Sequence, residues 1–378
     1  MIRRPIWVES IERAWNKHSL VWMTGVRRVG KTTLAKMFPE AIYLNCDLPS
    51  VARKLEDPES FYHSFSAGNI IIFDEIHRLP DPSRVLKIGT DEFSGLKILA
   101  TGSSTLEATK KFRDSLTGRK TSLVLFPVIW DECLENFGIK DIDHRLLFGG
   151  LPESLLSEKL NPAFFSEWID SFYARDVQEL FHVRNRSGFL KLMHLLFRSS
   201  GNLIDYTQLS KMSGLSRPSV MTYLEALRIS NAAYLISPFH GGGRRELTQR
   251  PKCYTFDTGF VSFVRGWAEI REEDRGLLWE HLVLDMLRTY LPDNQLFYWR
   301  DKSSREIDFV VKKNNDQVDI FECKINPDAF TSSPLIVFRN LYPKGRNFCF
   351  SPFIKEKYSS RRNDQTIEFI GNIRQYFE

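Results

Sequence analysis

The feature that most restricts the fold is a glycine-rich stretch between an apolar run and a helical run. Its residues match the pattern GxxxxGK[ST] without exception and are Gly25, Val26, Arg27, Arg28, Val29, Gly30, Lys31 and Thr32. Leu20–Met23 before it has the composition of a buried strand, and 31–38 after it that of a helix. Backbone N–H groups of such a loop surround phosphate oxygens, and the helix start adds positive dipole. The pattern therefore predicts a phosphate-binding loop on a parallel α/β sheet.

This loop predicts the way in which a nucleoside triphosphate binds. We expect Lys31 to contact the β- and γ-phosphates of ATP, and Thr32 to ligate Mg²⁺. The predicted nucleotide-binding residues lie in the loop, at the start of the next helix and at two strand ends, and they are Gly25, Val26, Arg27, Arg28, Val29, Gly30, Lys31, Thr32, Thr33, Asp74 and Ser103.

A second apolar run, IIIF at 70–73, ends in two acids. Forty-odd residues after a phosphate loop, Asp74 is expected to hold the metal ion or its water, and Glu75 to orient and activate the attacking water. A third run, 96–100, ends near Ser103. That hydroxyl could contact the γ-phosphate or the water, and a helix N-cap explains it equally well. The three runs together predict ATP hydrolysis.

Length and composition fit a multidomain protein without a membrane segment. A chain of 378 residues predicts two or three domains. No apolar run approaches the roughly 18 residues of a membrane span, and no secretory signal follows the N-terminal basic residues. The five scattered cysteines form no CxxC pair, which argues against zinc and disulfides. We therefore expect a cytoplasmic protein with no membrane partner.

The middle of the chain carries a helix-turn-helix pattern. The helices are predicted at 205–212 and 216–230, with a turn at Ser213-Gly214 and with Ser216 as the cap of the second helix. In winged versions the second helix enters the major groove of DNA. The exposed face and the glycine-rich wing that follows it would then present Ser216, Arg217, Ser219, Tyr223, Arg244 and Arg245.

Positive charge is concentrated in the same region. Residues 181–252 hold eleven Lys and Arg against three acids, a net charge of +8, so the rest of the chain sums to −3 from a total of +5. Such a block is typical of a polyanion partner, and a solvated face balanced by neighbouring domains is the equal alternative. Together with the helix-turn-helix pattern, the charge favours DNA over RNA as a partner.

Several short motifs resemble those of one protein family. They are GVRRVGKTT, IIFDEIHRLP, ATGSS, SLTGRK, GGLPE, YARDV and PKCYTFDTGF, which span almost the whole chain. They resemble AAA+-type P-loop ATPases, in the prokaryotic branch that carries a C-terminal domain of uncharacterised function. The resemblance implies that Arg119 is a catalytic arginine finger acting on a neighbour's ATP, and it implies a homo-oligomer.

The last part of the chain resembles a nuclease core. Asp308, then Glu322 and Lys324 two residues apart on the next strand, resemble the PD-(D/E)xK pattern, with Glu280 on a preceding helix as a further acid. The resemblance implies that Glu280, Asp308 and Glu322 bind Mg²⁺ or Mn²⁺ and that Lys324 activates water. One departure is Ile307, which stands where the family has proline. The alternative is a degenerate fold used for docking.

Together these signals predict an α/β protein of three domains. Residues 1–147 are expected to form a parallel-sheet P-loop ATPase domain, 148–250 a helical, winged-helix domain, and 251–378 a nuclease-like α/β domain. The leading hypothesis is a DNA-binding ATPase coupled to a metal-dependent nuclease. The alternatives are a signalling or regulatory ATPase with an inactive C-terminal domain used for DNA or protein docking, and a DNA-bound regulator with the ATPase as its switch.

Overall fold

The computed structural model describes residues 2–378 except 179, 180, 182, 184, 241–249, 315 and 316. Within these residues, the first region has a five-stranded sheet of order β2-β3-β4-β1-β5, and every neighbouring pair is parallel. Its strands are β1 Leu20–Thr24, β2 Ile42–Asn45, β3 Ile70–Asp74, β4 Lys97–Thr101 and β5 Lys120–Val124. The predicted parallel-sheet α/β class is therefore confirmed for this region.

Helices cover both faces of that sheet, as the alternation of apolar strands and amphipathic helices predicts. They are α1 Pro5–Trp15, α2 Lys31–Ala35, α3 Pro49–Lys54, α4 Pro58–His63, α5 Pro82–Glu92, α6 Ser104–Ala108 and α7 Lys110–Leu116. Two further helices, α8 Trp130–Glu132 and α9 Ile142–Phe148, pack instead in the core of the last region. The helical sequence at 51–65 predicts one helix, but the structure divides it into α3 and α4. Proline at 58 disfavours helical backbone at Asp57, which instead caps α4 by accepting from the N–H of Ser60.

The middle region is mainly helical and ends in a hairpin. Its elements are α10 Pro152–Leu155, α11 Pro162–Phe172, a π-helical turn Tyr173–Gln178, α12 Arg186–Arg198, β6 Asn202–Leu203, α13 Tyr206–Ser213, α14 Arg217–Ile229, β7 Ala233–Pro238 and β8 Lys252–Thr255. Asp205 caps α13 and Ser216 caps α14, and Gly214 between them has a φ of 72°. The predicted wing residues Gly241–Gly243, Arg244 and Arg245 lie outside the described residues.

The exposed face predicted for α14 needs one correction. Ser216 and Arg217 are exposed, but Tyr223 is 9% exposed and packs its ring 5.5 Å from that of Phe189. Tyr223 belongs to an apolar cluster that runs from β1 through α11 to α14. An aromatic ring at that helical position contributes more as part of the core than in solvent.

The last region adds a mixed sheet packed on a long helix. Its elements are α15 Thr258–Arg265, α16 Glu272–Tyr290, β9 Leu296–Arg300, β10 Glu306–Lys312, β11 Val318–Cys323, α17 Ser333–Leu341, β12 Asn347–Phe350, β13 Tyr358–Arg362, β14 Gln365–Ile370 and α18 Arg374–Phe377. Among the described residues, no helix has the length and apolar character that crossing a bilayer requires.

The hairpin joins the middle and last regions into one sheet. In the described chain its order is β13-β14-β12-β11-β10-β9-β7-β8-β6. β7 pairs with β8 antiparallel and with β9 in parallel, and β8 also pairs with β6. The division predicted between residues 250 and 251 therefore falls inside a hairpin.

Candidate functional site

The phosphate loop has a backbone that requires glycine at its two ends. Gly25 has a φ of 138°, and a Cβ there would lie 2.5 Å from the carbonyl oxygen of Leu125. Gly30 has a φ of 100° and is the residue from which α2 starts. Residues other than glycine rarely adopt either backbone conformation, so the two glycines allow the loop to turn tightly between β1 and α2.

Lys31 is folded over this loop. Its Nζ donates to the carbonyl oxygens of Gly25 and Val26, at 2.9 and 3.2 Å. Burial lowers the pKa of Lys31 below its usual value, and the charge of Glu75 opposes that shift. Two neutral carbonyls are weak partners for a buried ammonium group, so a phosphate would attract it more strongly.

Asp74 and Thr32 meet beside the loop, where the sequence predicts a metal ion. Asp74 Oδ2 accepts from the hydroxyl groups of Thr32 at 2.8 Å and Tyr43 at 2.6 Å, and its Oδ1 accepts from Thr101 at 2.5 Å. Asp74 is only 3% exposed. Hydroxyl and carboxylate oxygens are ligands that Mg²⁺ takes together with phosphate oxygens, so these residues fit a nucleotide-bound Mg²⁺.

Glu75 stands at the edge of the same cleft in an unusual conformation. Its φ is 55°, its backbone N–H donates to Thr101 Oγ1 at 3.0 Å, and its Oε2 lies 3.3 Å from His77 Nδ1. Burial lowers the pKa of His77, although Glu75 opposes the shift. Thr101 thus links Asp74 and Glu75. This role of Thr101 was not predicted from the sequence. Thr101 ends β4, and the sequence alone does not show that β4 is the neighbour of β3.

The middle region contacts the phosphate loop directly. Arg27 forms an ion pair of 3.3 Å with Asp176, and its carbonyl oxygen accepts from Trp168 Nε1 at 3.0 Å. Burial raises the pKa of Asp176, and the charge of Arg27 opposes that shift. Arg28 lies 3.8 Å from Glu153 and from Glu167. None of these partners was predicted, because they lie over a hundred residues from the loop.

A cleft of about 1060 Å³ opens over the loop between the two regions. Ser103 and Thr33 border it, as does Arg175 from the π-helical turn. Arg119 lies elsewhere. It forms a two-pronged ion pair with Asp91, at 2.5 and 3.1 Å, on the exposed surface near α5. Arg119 therefore does not reach the phosphate site of its own chain.

A second cluster of acids forms where α16, β10 and β11 converge. One carboxylate oxygen from each of Glu280, Glu306 and Asp308 lies within 4.8 Å of the others. Asp308 Oδ2 accepts from the backbone N–H of Cys323 at 2.7 Å and lies 3.7 Å from Lys324 Nζ. The structure thus brings together acids that are separated by 28 residues along the sequence.

Glu322 is the acid of this cluster with an unused oxygen. Its Oε2 accepts from Lys324 Nζ at 2.9 Å, but its buried Oε1 has no hydrogen-bond partner among the described residues. Burial, followed by the nearby charge of Asp308, raises the pKa of Glu322 to about 8. A buried carboxylate oxygen without a donor is costly, and a cation would remove that cost. The residues therefore fit a divalent metal ion.

Lys252 and Tyr254 reach the same cluster from β8. Lys252 Nζ lies 2.9 Å from Glu280 Oε1 and also contacts Glu306 Oε1, and Tyr254 donates to Glu280 at 2.5 Å. Burial opposes the charge of Lys252, but Glu280 and Glu306 outweigh it and raise its pKa. Lys252 was counted in the basic block, and that assignment is wrong, since its side chain is only 4% exposed.

Much of the remaining basic block is neutralised within the chain. Arg186 pairs with Asp170, Arg228 with Glu225 and Arg250 with Asp205. Lys211 and Arg217, at the two sides of the turn between α13 and α14, are exposed. The positive charge available to a partner is therefore smaller than the sequence count, and in the described residues it includes the exposed Lys191 and Arg198 of α12 as well as the two residues at this turn.

Three consecutive parts of the chain match models of known protein families. Residues 17–134 match an AAA domain, residues 139–271 match a domain of unknown function (DUF8612), and residues 275–369 match a domain of unknown function (DUF4143). The first region is therefore an AAA-type ATPase domain of the P-loop class. The two later matches carry no assigned activity.

Similar complete proteins have no assigned role either. An uncharacterised protein of Mycobacterium tuberculosis is 27% identical over 323 residues, which cover 82% of this chain and 72% of the relative. One from Methanocaldococcus jannaschii is 25% identical over 351 residues, covering 84% and 76%. A solved structure of a signal transduction ATPase with a tetratricopeptide repeat sensor, from Pyrococcus horikoshii, aligns over 78% of this chain and 46% of its own, with 16% identity and a TM-score of 0.29.

Proposed function

We propose that this protein hydrolyses ATP, binds DNA and couples its nucleotide state to metal-dependent cleavage of phosphodiester bonds. Three units would carry these tasks, residues 1–147, 148–250 and 251–378. One observation supports the coupling most. Asp308, Glu322 and Lys324 lie close to the acids of α16 and β10, and the same chain carries a phosphate loop in its first region.

ATP hydrolysis follows from the chemistry of the cleft. Lys31 leaves the carbonyl oxygens of its own loop and contacts the terminal phosphates, where its charge offsets the charge that develops in the transition state. Thr32 and Asp74 would hold Mg²⁺, which would supply positive charge at the phosphates when ATP is bound. Glu75 accepts a proton from the attacking water. Ser103 and Thr33 border the phosphate end of the cleft and complete its polar lining.

Cleavage of DNA uses the second cluster. Asp308 and Glu322 hold a divalent ion, which supplies charge neutralisation at the phosphate. Lys324 orients a water molecule for attack on phosphorus, so that a new bond forms to the water oxygen and the bond to the leaving sugar oxygen breaks. The backbone N–H of Cys323 fixes the Asp308 carboxylate for this task.

Binding and coupling are assigned to the middle region. Lys211 and Arg217 at the exposed turn offer positive charge to DNA phosphates. The contacts of Trp168 and Asp176 with Arg27 place the middle region against the loop that holds the phosphates. A homo-oligomer is part of the proposal, because Arg119 is exposed and would need a neighbouring chain's ATP to act on.

A cleavage assay with a matched pair of variants tests the function. Native protein, Asp308→Ala and Asp328→Ala are incubated with plasmid DNA, single-stranded DNA or RNA, in ATP with Mg²⁺ or Mn²⁺. We expect Asp308→Ala to lose cleavage by about 100-fold or more while it keeps ATP hydrolysis, because it removes a metal ligand. Asp328 is exposed nearby and serves as the control.

Two outcomes would contradict the proposal. Equal cleavage by native protein and Asp308→Ala would point to a contaminating nuclease. Absence of cleavage of every substrate, with ATP hydrolysis intact, would favour the docking role for the last region.

A further inference from the structure

The acid cluster has two sides that differ in their partners. On one side, Glu280 Oε1 accepts from Lys252 and Tyr254, and Glu306 contacts Lys252 through Oε1 and Arg300 through Oε2 at 3.3 Å. These oxygens already have cationic or hydroxyl partners. On the other side, Oε1 of Glu322 is buried and has no hydrogen-bond donor in the described chain. Glu322 Oε2 has the Lys324 ammonium group as its partner, so Oε1 is the one oxygen of these four acids that is buried without a hydrogen-bond partner among the described residues.

Lys252 stands where the geometry of the first side would place a metal ion. The oxygens of Glu280, Glu306 and Asp308 that lie within 4.8 Å of one another surround one point, and the ammonium group of Lys252 contacts two of the three residues. A compact ammonium is a point charge with three donors, so it can replace a small cation among carboxylates.

The backbone holds Lys252 in this position. It lies on β8, where it pairs with Ile236 of β7 and with Leu203 of β6. The side chain is 4% exposed and passes over the ring of Tyr298 at 5.6 Å. The buried stem and the ring of Tyr298 thus favour the position of the ammonium group beside Glu280 and Glu306.

The charge balance allows one further divalent ion. Glu280, Glu306, Asp308 and Glu322 supply four negative charges when ionised, and Lys252 and Lys324 return two positive ones, which leaves two to be balanced by a divalent cation. Arg300 borders the cluster at 33% exposure and is screened by solvent. A second divalent ion would lie beside the Lys252 ammonium without a carboxylate to balance it.

We propose that Lys252 is a resident cation that fills one of two cation positions around Asp308, so that the cluster binds a single divalent ion between Asp308 and Glu322. The inference rests on the proposed function, because it requires this cluster to bind metal. It adds that a residue of the middle region's hairpin replaces the second metal ion that a four-carboxylate cluster could hold.

Counting bound Mn²⁺ tests the inference without any activity. Full-length, nucleotide-free protein is titrated with Mn²⁺, and free Mn²⁺ is followed by electron paramagnetic resonance. We expect native protein to bind one ion that Asp308→Ala does not bind. Lys252→Met keeps the length of the stem, removes the charge and should bind two ions, whereas Lys252→Arg should bind one. Lys302→Met removes an exposed lysine of the same region and is the control.

A second pair of variants covers the case in which Lys252→Met does not fold. Glu306→Gln removes a partner of Lys252 and should still bind one ion. Glu322→Gln removes the proposed ligand and should bind none. The reverse result for these two variants would overturn the inference.

The stoichiometries separate the inference from the proposed function. One ion in both native protein and Lys252→Met, or two in the native protein, overturns the role of Lys252 and leaves the metal site in place. If native protein binds no Mn²⁺ and Lys252→Met binds one ion, the role of Lys252 is also overturned, because Lys252 would then prevent metal binding by the cluster. Equal binding by native protein and Asp308→Ala rejects the metal site itself.

Discussion

The phosphate site and the acid cluster both contain buried carboxylates, but their partners differ in charge. Asp74 accepts from three neutral hydroxyl groups, of Thr32, Tyr43 and Thr101. The acid cluster instead contains the ammonium groups of Lys252 and Lys324. Neutral donors fix the position of a carboxylate without cancelling its charge. The phosphate site is therefore ready for a cation that arrives with the nucleotide, whereas the acid cluster carries its own cations.

The two centres also differ in how many separate parts of the fold supply their residues. Asp74 and its partners lie at adjacent strand ends and the helix start of one parallel sheet. The acid cluster draws on α16, β8, β10 and β11, and β8 belongs to a hairpin shared with the middle region. A change in the middle region can therefore reach the acid cluster directly, and it reaches the phosphate loop through Arg27.

The largest expected effect is a loss of ATP hydrolysis that leaves the acid cluster unchanged. Lys31→Ala should lower the rate of ATP hydrolysis by about 10²- to 10³-fold, because it removes a cation that stabilises the transition state. Mn²⁺ binding by the acid cluster in nucleotide-free protein should be unchanged. Phosphate release and Mn²⁺ titration measure the two effects, and Lys54→Ala, at an exposed site of the same domain, is the control. Loss of Mn²⁺ binding in Lys31→Ala would mean that the centres are not independent.

The next effect concerns an acid of α16 whose carboxylate has no hydrogen-bond partner among the described residues. Asp285 is fully buried, neither of its carboxylate oxygens has a partner among the described residues, and burial raises its pKa to about 8 against the attraction of Arg145 and Arg288. In the unfolded chain this carboxyl ionises near pH 3.8. Between these values the native state binds the extra proton, so the free energy of unfolding decreases as pH rises.

Asp285→Asn should remove this dependence. The free energy of unfolding of the variant relative to the native protein should increase by about 1.4 kcal/mol for each pH unit between pH 5 and 7, or about 3 kcal/mol in all. Urea denaturation at the two pH values measures it, and Glu272→Gln, an exposed acid of the same helix, should follow the native protein. A constant difference between the two proteins would show that Asp285 is ionised in the folded state.

The smallest effect tests the neutral donors of the phosphate site. Thr101→Val removes the donor to Asp74 Oδ1 and the acceptor of the Glu75 N–H. It should destabilise the protein by about 1–3 kcal/mol, because a buried polar group loses its partner. The rate constant kcat should fall by about tenfold with little change in ATP affinity, because both acids lose position rather than identity. Thr101→Ser restores the hydroxyl and should recover both; failure to recover would point to the lost methyl group instead.

The residues proposed for the phosphate site could be grouped from the sequence because the main ones are local. Gly25 to Thr32 are contiguous, and Asp74 follows an apolar strand, so motif and strand signals suffice to place them. Thr101 was missed because its role depends on which strand lies next to β3, and the order of strands in a sheet is not written in any one segment. Trp168 and Asp176 were missed for the same reason.

The acid cluster was predicted in part. Asp308, Glu322 and Lys324 lie on two consecutive strands, so their shared face could be inferred from the alternation of side chains. Lys252 was misjudged because a lysine is rarely buried, and a charge count treats it as solvated. The strands β12, β13 and β14 were not predicted, and β12 enters the sheet by parallel pairing with β11 on one side and β14 on the other.

The hairpin of β7 and β8 has a mechanical consequence. Because β6 to β13 form one sheet, with a register shift between Ile307 and Val310, α13 and α14 are joined to the acids through paired strands. Residues 241–249 connect the two arms of this hairpin and end three positions before Lys252. Because β8 pairs with β7, and β7 with β9, a displacement of β7 relative to β9 would also move the strand that carries Lys252.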